Sequence, residues 1–319
     1  MIYRLTGLTF LLILLSCSSS HKATVSGIEI DPFQYKGQKK VIAENGAVVS
    51  AHPLASKVGL GILKKGGNAI DAAIATQLAL AVVYPNAGNL GGGGFFVARL
   101  ANGKLVSIDY REKAPGAAHR DMYLDPHGQA MTQKSLEGHL ASGVPGSVAG
   151  IFESYKYAKL PFEQLIQPAI DLAKGGFAIN DNDASAFNRL QDELKRLNTV
   201  MPVFVKEIPW KKGDTLVQTD LANTLTRIRD KGKAGFYEGE TARLILEEMK
   251  RGNGIISLED LKNYQAKPRA PYIFSYKDYT IVSMPMPSSG GLLLNQMMKM
   301  VEDRNLKKMG FIPCRQFNS

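Results

Sequence analysis

Tyr84-Pro-Asn-Ala-Gly-Asn-Leu-Gly-Gly-Gly-Gly-Phe-Phe96 opens a segment that ends at Arg111. The four consecutive glycines carry no Cβ atoms, so their backbone can take positive φ and let other chain segments approach closely. Two apolar, β-prone runs follow, Phe95–Leu100 and Leu105–Tyr110, with Asn102-Gly103 between them. Asn-Gly between two such runs is a strong hairpin signal. The sequence therefore predicts a tight turn that leads into a β-hairpin, with Arg111 where the second strand leaves the sheet.

Two roles are open for each part of this stretch. A glycine run could cradle a phosphate, but the dinucleotide pattern needs G-x-G-x-x-G opening a helix, and here two phenylalanines and a strand follow. Arg111 could be a surface or salt-bridging arginine, as most arginines are, or a guanidinium fork for a carboxylate. The residues of this stretch alone favour the turn and the surface arginine.

Five motifs change that balance because they occur in a fixed order along the chain. They are Gly66-Gly-Asn-Ala-Ile-Asp-Ala-Ala73, Gly88-Asn-Leu-Gly-Gly-Gly-Gly-Phe95, Asp109-Tyr-Arg-Glu-Lys-Ala-Pro115, Gly143-Val-Pro-Gly146 and Pro287-Ser-Ser-Gly-Gly291. Together they resemble the large subunit of γ-glutamyltransferases, which are also called γ-glutamyltranspeptidases or glutathione hydrolases. The resemblance covers roughly Lys40–Leu306. It implies an α+β fold, the four-layer αββα sandwich of N-terminal-nucleophile hydrolases, present here only in its large-subunit part.

The resemblance also implies a reaction, transfer of the γ-glutamyl group of glutathione or a related amide to water or to an amine through an acyl-enzyme. Arg111 would bind the donor's α-carboxylate, and no cofactor is implied. The nucleophile would be the N-terminal threonine of a small subunit, in a Thr-Thr-His-type motif. The sequence contains no Thr-Thr pair. We therefore expect a truncated or frameshifted chain, inactive without the missing small subunit, although a separately encoded small subunit is the alternative.

Other functions stay open on the sequence. A non-catalytic pseudoenzyme could bind γ-glutamyl compounds at the cell envelope, and a related acylase or γ-polyglutamate hydrolase could use the same scaffold. Ser288 and Ser289 are poor candidates for a nucleophile because no histidine lies near them in sequence. Without a small subunit, sheet edges and apolar faces would be uncovered, and poor solubility is expected.

Composition excludes several classes. The net charge of +10 comes from Lys and Arg spread along the chain in runs no longer than two, so nucleic-acid binding is not predicted. The two cysteines, Cys17 and Cys314, form no C-x-x-C pair, and the histidines form no H-E-x-x-H pattern. Asp121, Asp125, His127 and His139 could form a weak metal cluster, but a polar loop is the simpler interpretation. No metal is predicted.

The N-terminal residues predict export. Residues 1–16 combine Arg4 with a short apolar run, too short to span a membrane. The following Leu14-Leu-Ser-Cys17 resembles a bacterial lipobox, which implies cleavage before Cys17, acylation of that cysteine and anchoring in the cell envelope, facing the periplasm. Ser18 favours the outer membrane by the same analogy, and a soluble periplasmic protein is the alternative. The predicted domains are 17–40 as a polar tether, 41–306 as the large-subunit region and 307–319 as a tail outside the family pattern.

Local signals predict the remaining elements. Helices are expected over Pro53–Lys64, from the Asn68 cap with Asp71 in a box-like position, after Gly146, from Pro161, over Ala184–Arg196 with Asp183 as cap, from the Thr219 cap, over Glu240–Lys250, from Ser257 and over Leu292–Val301. Strands are expected at Val41-Ile42, Ala47–Ser50, Tyr272–Tyr276 and Tyr279–Met284. Pro168 is expected to begin or kink a helical segment, and Trp210–Asp214 to form a surface turn.

Overall fold

A computed structural model describes residues 42–304 of the chain. The chain divides after Asn45, and residues 42–45 are the described part of the N-terminal unit Met1–Asn45. The predicted signal peptide, the lipobox at Cys17, the tether and the tail 307–319 lie outside the described residues. None of the described helices is long and apolar enough to cross a membrane.

The described residues are mainly helical, with groups of helices separated by short strands. The helices are α1 (Pro53–Lys64), α2 (Ala69–Val83), α3 (Thr132–Leu136), α4 (Ser147–Tyr155), α5 (Phe162–Gly175), α6 (Asp181–Arg189), α7 (Gln191–Leu197), α8 (Thr219–Lys231), α9 (Ala234–Tyr237), α10 (Gly239–Arg251), α11 (Leu258–Lys262) and α12 (Gly290–Met300), with a 3-10 turn at His139–Ala141. The strands are β1 (Phe95–Arg99), β2 (Leu105–Asp109), β3 (Phe177–Ala178), β4 (Thr215–Leu216), β5 (Lys267–Arg269), β6 (Tyr272–Tyr276) and β7 (Tyr279–Ser283).

Three small antiparallel sheets account for the described strands. One has the order β1-β2-β5, and the other two are the pairs β3-β4 and β6-β7. In the first sheet Phe95 lies opposite Asp109 and Arg99 opposite Leu105, which is the hairpin predicted around Asn102-Gly103. Gly103 takes a φ of 83°, as that turn requires. The α+β class is confirmed.

Helix α2 lies at the centre of the core. Its alanine-rich sequence is buried almost all round, from Ile70 to Val83, and it packs against α1, α4 and α5. The predicted start is confirmed, because Asn68 accepts from the backbone N–H of Asp71 while the Asp71 carboxylate accepts from that of Asn68. A helix with so many alanines allows close approach of its neighbours, so it is a core element and not an amphipathic surface helix.

The carboxylate of Asp71 also ties α2 to a distant segment. Asp71 is fully buried, and besides the N–H of Asn68 it accepts from those of Lys159 and Leu160 at 2.9 to 3.1 Å. The side-chain amide of Asn68 donates in turn to the carbonyl of Tyr157. Several charge-assisted hydrogen bonds replace the water that this carboxylate loses on burial.

Helix α5 is continuous through Pro168, so the prediction that a new segment begins at Pro168 is wrong. Proline removes one backbone hydrogen bond inside a helix. The loss is offset by packing, because Leu165, Ile166 and Ala169 around it are fully buried. The helix ends at Gly176, whose φ of 77° suits glycine.

Two further predictions are corrected near the start of the described chain and in the middle. Ala47–Ser50 forms no strand, because it pairs with no other segment among residues 42–304 and Val49 is 92% exposed. The helix predicted over Ala184–Arg196 is two helices, and its cap is Asn180, with Asp183 as the reciprocal partner three residues later. With Asn180 as cap and Asp183 three residues later, the capping box satisfies two backbone N–H donors. Asp183 acting alone as the cap would not satisfy both.

The predicted surface turn is present at Lys211–Asp214, where the Asp214 N–H donates to the Lys211 carbonyl, but Trp210 is not part of the surface. Its side chain is buried, its Nε1 donates to the carbonyl of Phe204 at 2.7 Å, and its ring packs edge-on against Phe187. The predicted cap at Thr219 is also wrong, since α8 begins there and Gln218 precedes it as the N-cap residue. The Gln218 amide instead donates to the carbonyl of Val82, at the end of α2.

The last described elements form a hairpin and a helix. Strand β6 has the predicted bounds, β7 ends one residue before the predicted Met284, and α12 packs on the hairpin that the two form. Only Gly291 of α12 is buried, whereas Leu293, Met297 and Met300 are between 50% and 77% exposed. This apolar face of α12 is uncovered in the described part of the chain.

Candidate functional site around Arg111

The glycine run places three segments against one another. None of its glycines takes a positive φ, so the expected conformational reason for them is wrong. The reason is space, because a Cβ on Gly93 would lie 2.5 Å from the Tyr110 carbonyl oxygen and 2.9 Å from the Cα of Arg111. The carbonyl of Gly92 accepts from the backbone N–H groups of Gly146 and Ser147. The glycines therefore let the start of α4 and the end of β2 meet at the turn.

Arg111 lies one residue beyond the backbone pair that Tyr110 makes with Gly94, at the point where the strand leaves the sheet, as predicted. Its backbone is held on both sides. The N–H donates to Asp109 Oδ1 at 3.0 Å, and the carbonyl accepts from the Tyr264 hydroxyl at 2.7 Å. The side chain is exposed and forms no ion pair within 4.0 Å among residues 42–304. A fixed backbone and a free guanidinium are what a carboxylate-binding arginine needs.

The charge of the Asp109 carboxylate is compensated by Arg269 and not by Arg111. It is 8% exposed, and its Oδ2 accepts from Arg269 Nη2 at 2.6 Å and Nε at 2.9 Å. The pairing of β2 with β5 brings the two together, with Ser107 opposite Arg269. Because Arg269 occupies one oxygen and the Arg111 N–H the other, Asp109 orients the Arg111 backbone without neutralising its guanidinium.

Tyr264 belongs to a stacked pair of buried tyrosines. Its ring lies parallel to that of Tyr237, with centroids 6.0 Å apart and an interplanar angle of 2°. The Tyr237 hydroxyl donates to the carbonyl of Pro145 and accepts from the N–H of Ala149, which fixes it to the start of α4. Burial raises the pKa of both phenols, so both keep their protons at neutral pH and remain hydrogen-bond donors.

Two lysines flank the Tyr264 residue. Lys113 Nζ lies 4.6 Å from the centre of its ring and 3.2 Å from the carbonyl of Gln265, and Lys233 Nζ lies 2.5 Å from the Tyr264 carbonyl. Burial lowers the pKa of both amines, and each also feels a neighbouring lysine. With Arg111 two residues before Lys113, this surface concentrates positive charge and would attract anionic substrates.

A cavity of about 510 Å³ begins at Lys113. Its walls include Val144, Tyr264 and, at the start of α11, Asp260. The Asp260 carboxylate accepts from the N–H of Gly116 and from the N–H and hydroxyl of Ser257. Arg111 is not among the residues that line this cavity, although Lys113, two residues further along the chain, is.

The other candidate residues are placed elsewhere or occupied. Ser289 is the N-cap residue of α12, and Ser288 donates its N–H to the carbonyl of Pro285, so these serines end a turn. Of the weak metal cluster considered above, His139 pairs with Glu248 at 2.7 Å, and the Asp125 carboxylate accepts from the N–H groups of His127 and Gln129. No group of three potential metal ligands occurs among the described residues.

Sequence reasoning missed Tyr264 and did not single out Lys113 or Asp109. Lys113 and Asp109 lie inside the motif Asp109–Pro115 quoted above, and that motif could have identified them as site residues. Tyr264 lies 153 residues from Arg111, and no local pattern connects them.

Comparison with known proteins gives a consistent result. The family model described as gamma-glutamyltranspeptidase matches residues 55–316. The glutathione hydrolase proenzyme of Escherichia coli K12 is 45% identical over 295 residues, which cover 89% of this chain and 49% of that protein. The acylase ACY 1 proenzyme of Pseudomonas sp. strain V22 is 34% identical over 282 residues, 86% of this chain and 50% of that protein. The chain thus spans about half the length of the curated relatives it matches.

A solved structure supports the same fold. The gamma-glutamyltranspeptidase of Helicobacter pylori superposes with a TM-score of 0.83 at 44% identity, covering 86% of this chain and 80% of that chain.

Proposed function

The chain belongs to the γ-glutamyltranspeptidase family, and on that premise we propose that it forms the donor-binding part of an enzyme that transfers or hydrolyses γ-glutamyl groups. The donors are glutathione and related γ-glutamyl amides. The observation that carries the proposal is the exposed guanidinium of Arg111, which has no ion-pair partner among residues 42–304, on a backbone fixed by Asp109 and Tyr264.

In this proposal the guanidinium of Arg111 binds the α-carboxylate of the donor with two parallel N–H···O bonds. Lysine would be a poor substitute because its ammonium lacks the planar fork. The carboxylate of Asp109 does not compete, since Arg269 holds it. The donor is thereby oriented with its γ-amide away from the arginine, where the nucleophile must act.

The proposed chemistry is acyl transfer. A threonine hydroxyl attacks the γ-amide carbon, the threonine's own amine accepts the hydroxyl proton, and the tetrahedral oxyanion collapses as the leaving amine takes up that proton. Water or an amino acid then attacks the resulting ester and releases glutamate or a new γ-glutamyl amide. We propose that the threonine, the oxyanion donors and the contacts to the substrate amine come from a small subunit outside these 319 residues, and that the chain is inactive without it.

Hydrolysis of γ-glutamyl-p-nitroanilide tests this proposal. The purified chain is assayed alone and after co-expression with the small subunit of the Escherichia coli relative. We expect turnover only with the small subunit, and a much higher KM for the donor in Arg111→Ala. The exposed Arg99 offers a control, since Arg99→Ala removes the same charge at the end of β1. An unchanged KM in Arg111→Ala would remove Arg111 from the site.

A second candidate is amide hydrolysis by an acylase or a γ-polyglutamate-cleaving enzyme. The similarity to the acylase ACY 1 proenzyme favours it, at lower identity than the glutathione hydrolase proenzyme. Comparing γ-glutamyl with longer acyl donors in the completed protein separates the two. Binding of glutathione without turnover of any donor would instead support a non-catalytic γ-glutamyl-binding protein of the envelope.

We propose further that the chain is anchored in a bacterial envelope, facing the periplasm, through acylation of Cys17. The support is the Leu14–Cys17 sequence alone. Expression of the full chain and of Cys17→Ser, followed by detergent phase partitioning, tests this. The unsubstituted protein should enter the detergent phase and the variant the aqueous phase. An aqueous unsubstituted protein would favour a soluble periplasmic form.

A further inference from the structure

The cavity that begins at Lys113 is not lined by Arg111, so the proposed contact between Arg111 and the donor's glutamyl group leaves it unused. It is large enough for a small peptide fragment, with about 510 Å³. Its lining is mainly polar or small, with Glu259 at the start of α11, Asn263 at its end and Gly116 on the facing loop. A cavity of this kind fits a hydrophilic ligand better than an apolar one.

Lys113 supplies a cation without a counter-ion. Among the described residues no carboxylate lies within 4.0 Å of its Nζ, which contacts only the Gln265 carbonyl and the Tyr264 ring. The cavity carboxylate of Asp260 accepts three hydrogen bonds, one from Gly116 and two from Ser257. Burial lowers the pKa of the Lys113 amine, Lys267 lowers it further and Asp109 acts against both. A carboxylate ligand would supply the missing negative charge.

The separation of Lys113 from Arg111 along the chain sets the length of ligand that could contact both residues. The two residues lie on one segment, and Lys113 continues it in antiparallel pairing with Val144. Two residues of extended chain span about 7 Å of backbone, since the rise is roughly 3.3 Å per residue. A peptide donor whose glutamyl carboxylate is bound by Arg111 would therefore bring the rest of its length within reach of Lys113.

We propose that this cavity receives the peptide portion of the γ-glutamyl donor and that the Lys113 ammonium binds its terminal carboxylate. The inference rests on the proposed function, since Arg111 must hold the other end. It names the substrate class as γ-glutamyl peptides with a free C-terminal carboxylate. Lys113 is then a specificity-determining residue, and donors without that carboxylate do not use it.

Direct binding to the full chain, measured by calorimetry, tests the assignment with two ligands. One is glutathione, and the other is the same tripeptide with its glycine carboxylate converted to the amide. Lys113→Gln should weaken glutathione roughly tenfold, the loss of one charge-assisted hydrogen bond, and leave the amide unchanged. Lys113→Arg should retain the preference for glutathione, and Arg111→Gln should weaken both ligands.

Lys262→Gln is the matched control, because Lys262 is exposed on α11, loses the same charge and does not line the cavity. It should leave both affinities unchanged. The assignment is overturned if Lys113→Gln weakens both ligands equally or neither, or if glutathione does not bind to the unsubstituted chain.

Turnover in the protein completed with a small subunit separates this inference from the proposed function. γ-Glutamyl-p-nitroanilide has no second carboxylate, so Lys113→Gln should raise the KM for glutathione and leave that for the anilide unchanged. If both donors respond equally or neither responds, Lys113 is misassigned while the function stands. If the unsubstituted completed protein hydrolyses neither donor, the proposed function fails and the calorimetric comparison decides on Lys113.

Discussion

The hydroxyl of Tyr264 donates a 2.7 Å hydrogen bond to the backbone carbonyl of Arg111, across 153 residues of sequence. The phenol is 2% exposed and stacked on Tyr237, so it has a single orientation. Gly146 makes room for it, because a Cβ there would lie 2.2 Å from the hydroxyl oxygen. The loop that carries the candidate carboxylate-binding side chain is therefore held from the opposite side of the core.

Removing this hydroxyl should loosen Arg111 without removing it. We expect Tyr264→Phe to lower the free energy of unfolding by about 1 kcal/mol, the usual net value of a hydrogen bond. In the completed enzyme it should raise the KM for γ-glutamyl-p-nitroanilide severalfold while kcat stays close to its original value. Urea denaturation and steady-state kinetics measure the two effects.

Tyr279→Phe is the control for this change, since the Tyr279 side chain is 68% exposed on the β6-β7 hairpin. It should alter neither quantity. A loss of stability in Tyr264→Phe with an unchanged donor KM would mean that the hydrogen bond stabilises the fold and does not position Arg111.

The glycine run offers a matched pair of substitutions. A Cβ on Gly93 would meet the backbone at Tyr110, Arg111 and Glu112 at 2.5 to 2.9 Å, whereas a Cβ on Gly91 meets nothing within 4 Å. We expect Gly93→Ala to cost about 1–3 kcal/mol, because backbone atoms must move. Gly91→Ala should stay within about 0.5 kcal/mol of the original. Equal midpoints of urea denaturation would show that close approach is not what this run provides.

The ion pair between Asp109 and Arg269 should contribute through its buried member. Asp109→Asn removes the charge that two N–H groups of Arg269 bind, and we expect a loss of about 1–3 kcal/mol. Combined with Arg269→Gln, the losses should not add, and a coupling of roughly 1 kcal/mol is expected for residues in contact. Additive losses in the double-mutant cycle would argue against the pair.

The Asp260 carboxylate should make stability acid-sensitive. Burial raises its pKa, but hydrogen bonds from Ser257 and Gly116 outweigh burial, and the net pKa lies below the ordinary value of 3.8. A depressed carboxyl pKa contributes stability that is present above the unfolded value and is lost as the pH falls through the folded one. Asp260→Asn should therefore flatten the fall of stability below about pH 4.

Thermal unfolding across pH 2 to 7, a range of about five units around these pKa values, measures the effect. Ser257→Ala removes one of the donors to Asp260 and should give an intermediate slope. Parallel curves for the original protein and Asp260→Asn would mean that this carboxylate does not report the acid sensitivity.

The uncovered face of α12 should limit solubility of the chain on its own. Leu293, Met297 and Met300 are exposed, and contiguous apolar surface favours association. Replacing all three with glutamine should raise the soluble fraction and leave the melting temperature within about 2 °C, because surface changes have small effects. Lys299→Gln on the same helix is the control and should not raise it. Light scattering and the soluble yield after centrifugation measure the result.

Local sequence signals correctly predicted the turns and helix starts that depend only on neighbouring residues. The Asn102-Gly103 turn set the hairpin, the Asn68 box began α2 and the Ser257 box began α11, each within four residues. Pro168 was misread because burial of the helix around it overrides a local penalty. Trp210 was misread because its partners at Phe187 and Phe204 are brought to it by the fold.

The candidate site shows the same division. Arg111 at the end of a strand could be predicted, since hairpin and motif are both local. The contacts that fix the backbone of Arg111 could not be predicted, because Tyr264 comes from a loop 153 residues away and Arg269 from a third strand. The cavity at Lys113 likewise forms only when α11 meets the segment after β2.

Asp71 has a consequence for the order in which the chain assembles. Its carboxylate starts α2 locally but is satisfied only when Lys159 and Leu160, 88 and 89 residues later, deliver their N–H groups. Until then a buried charge is short of donors, so the central helix cannot settle into the core ahead of its distant neighbours. Long-range contacts of this kind slow folding. A chain emerging from synthesis would have to wait for the α4–α5 turn before its first two helices became firmly seated.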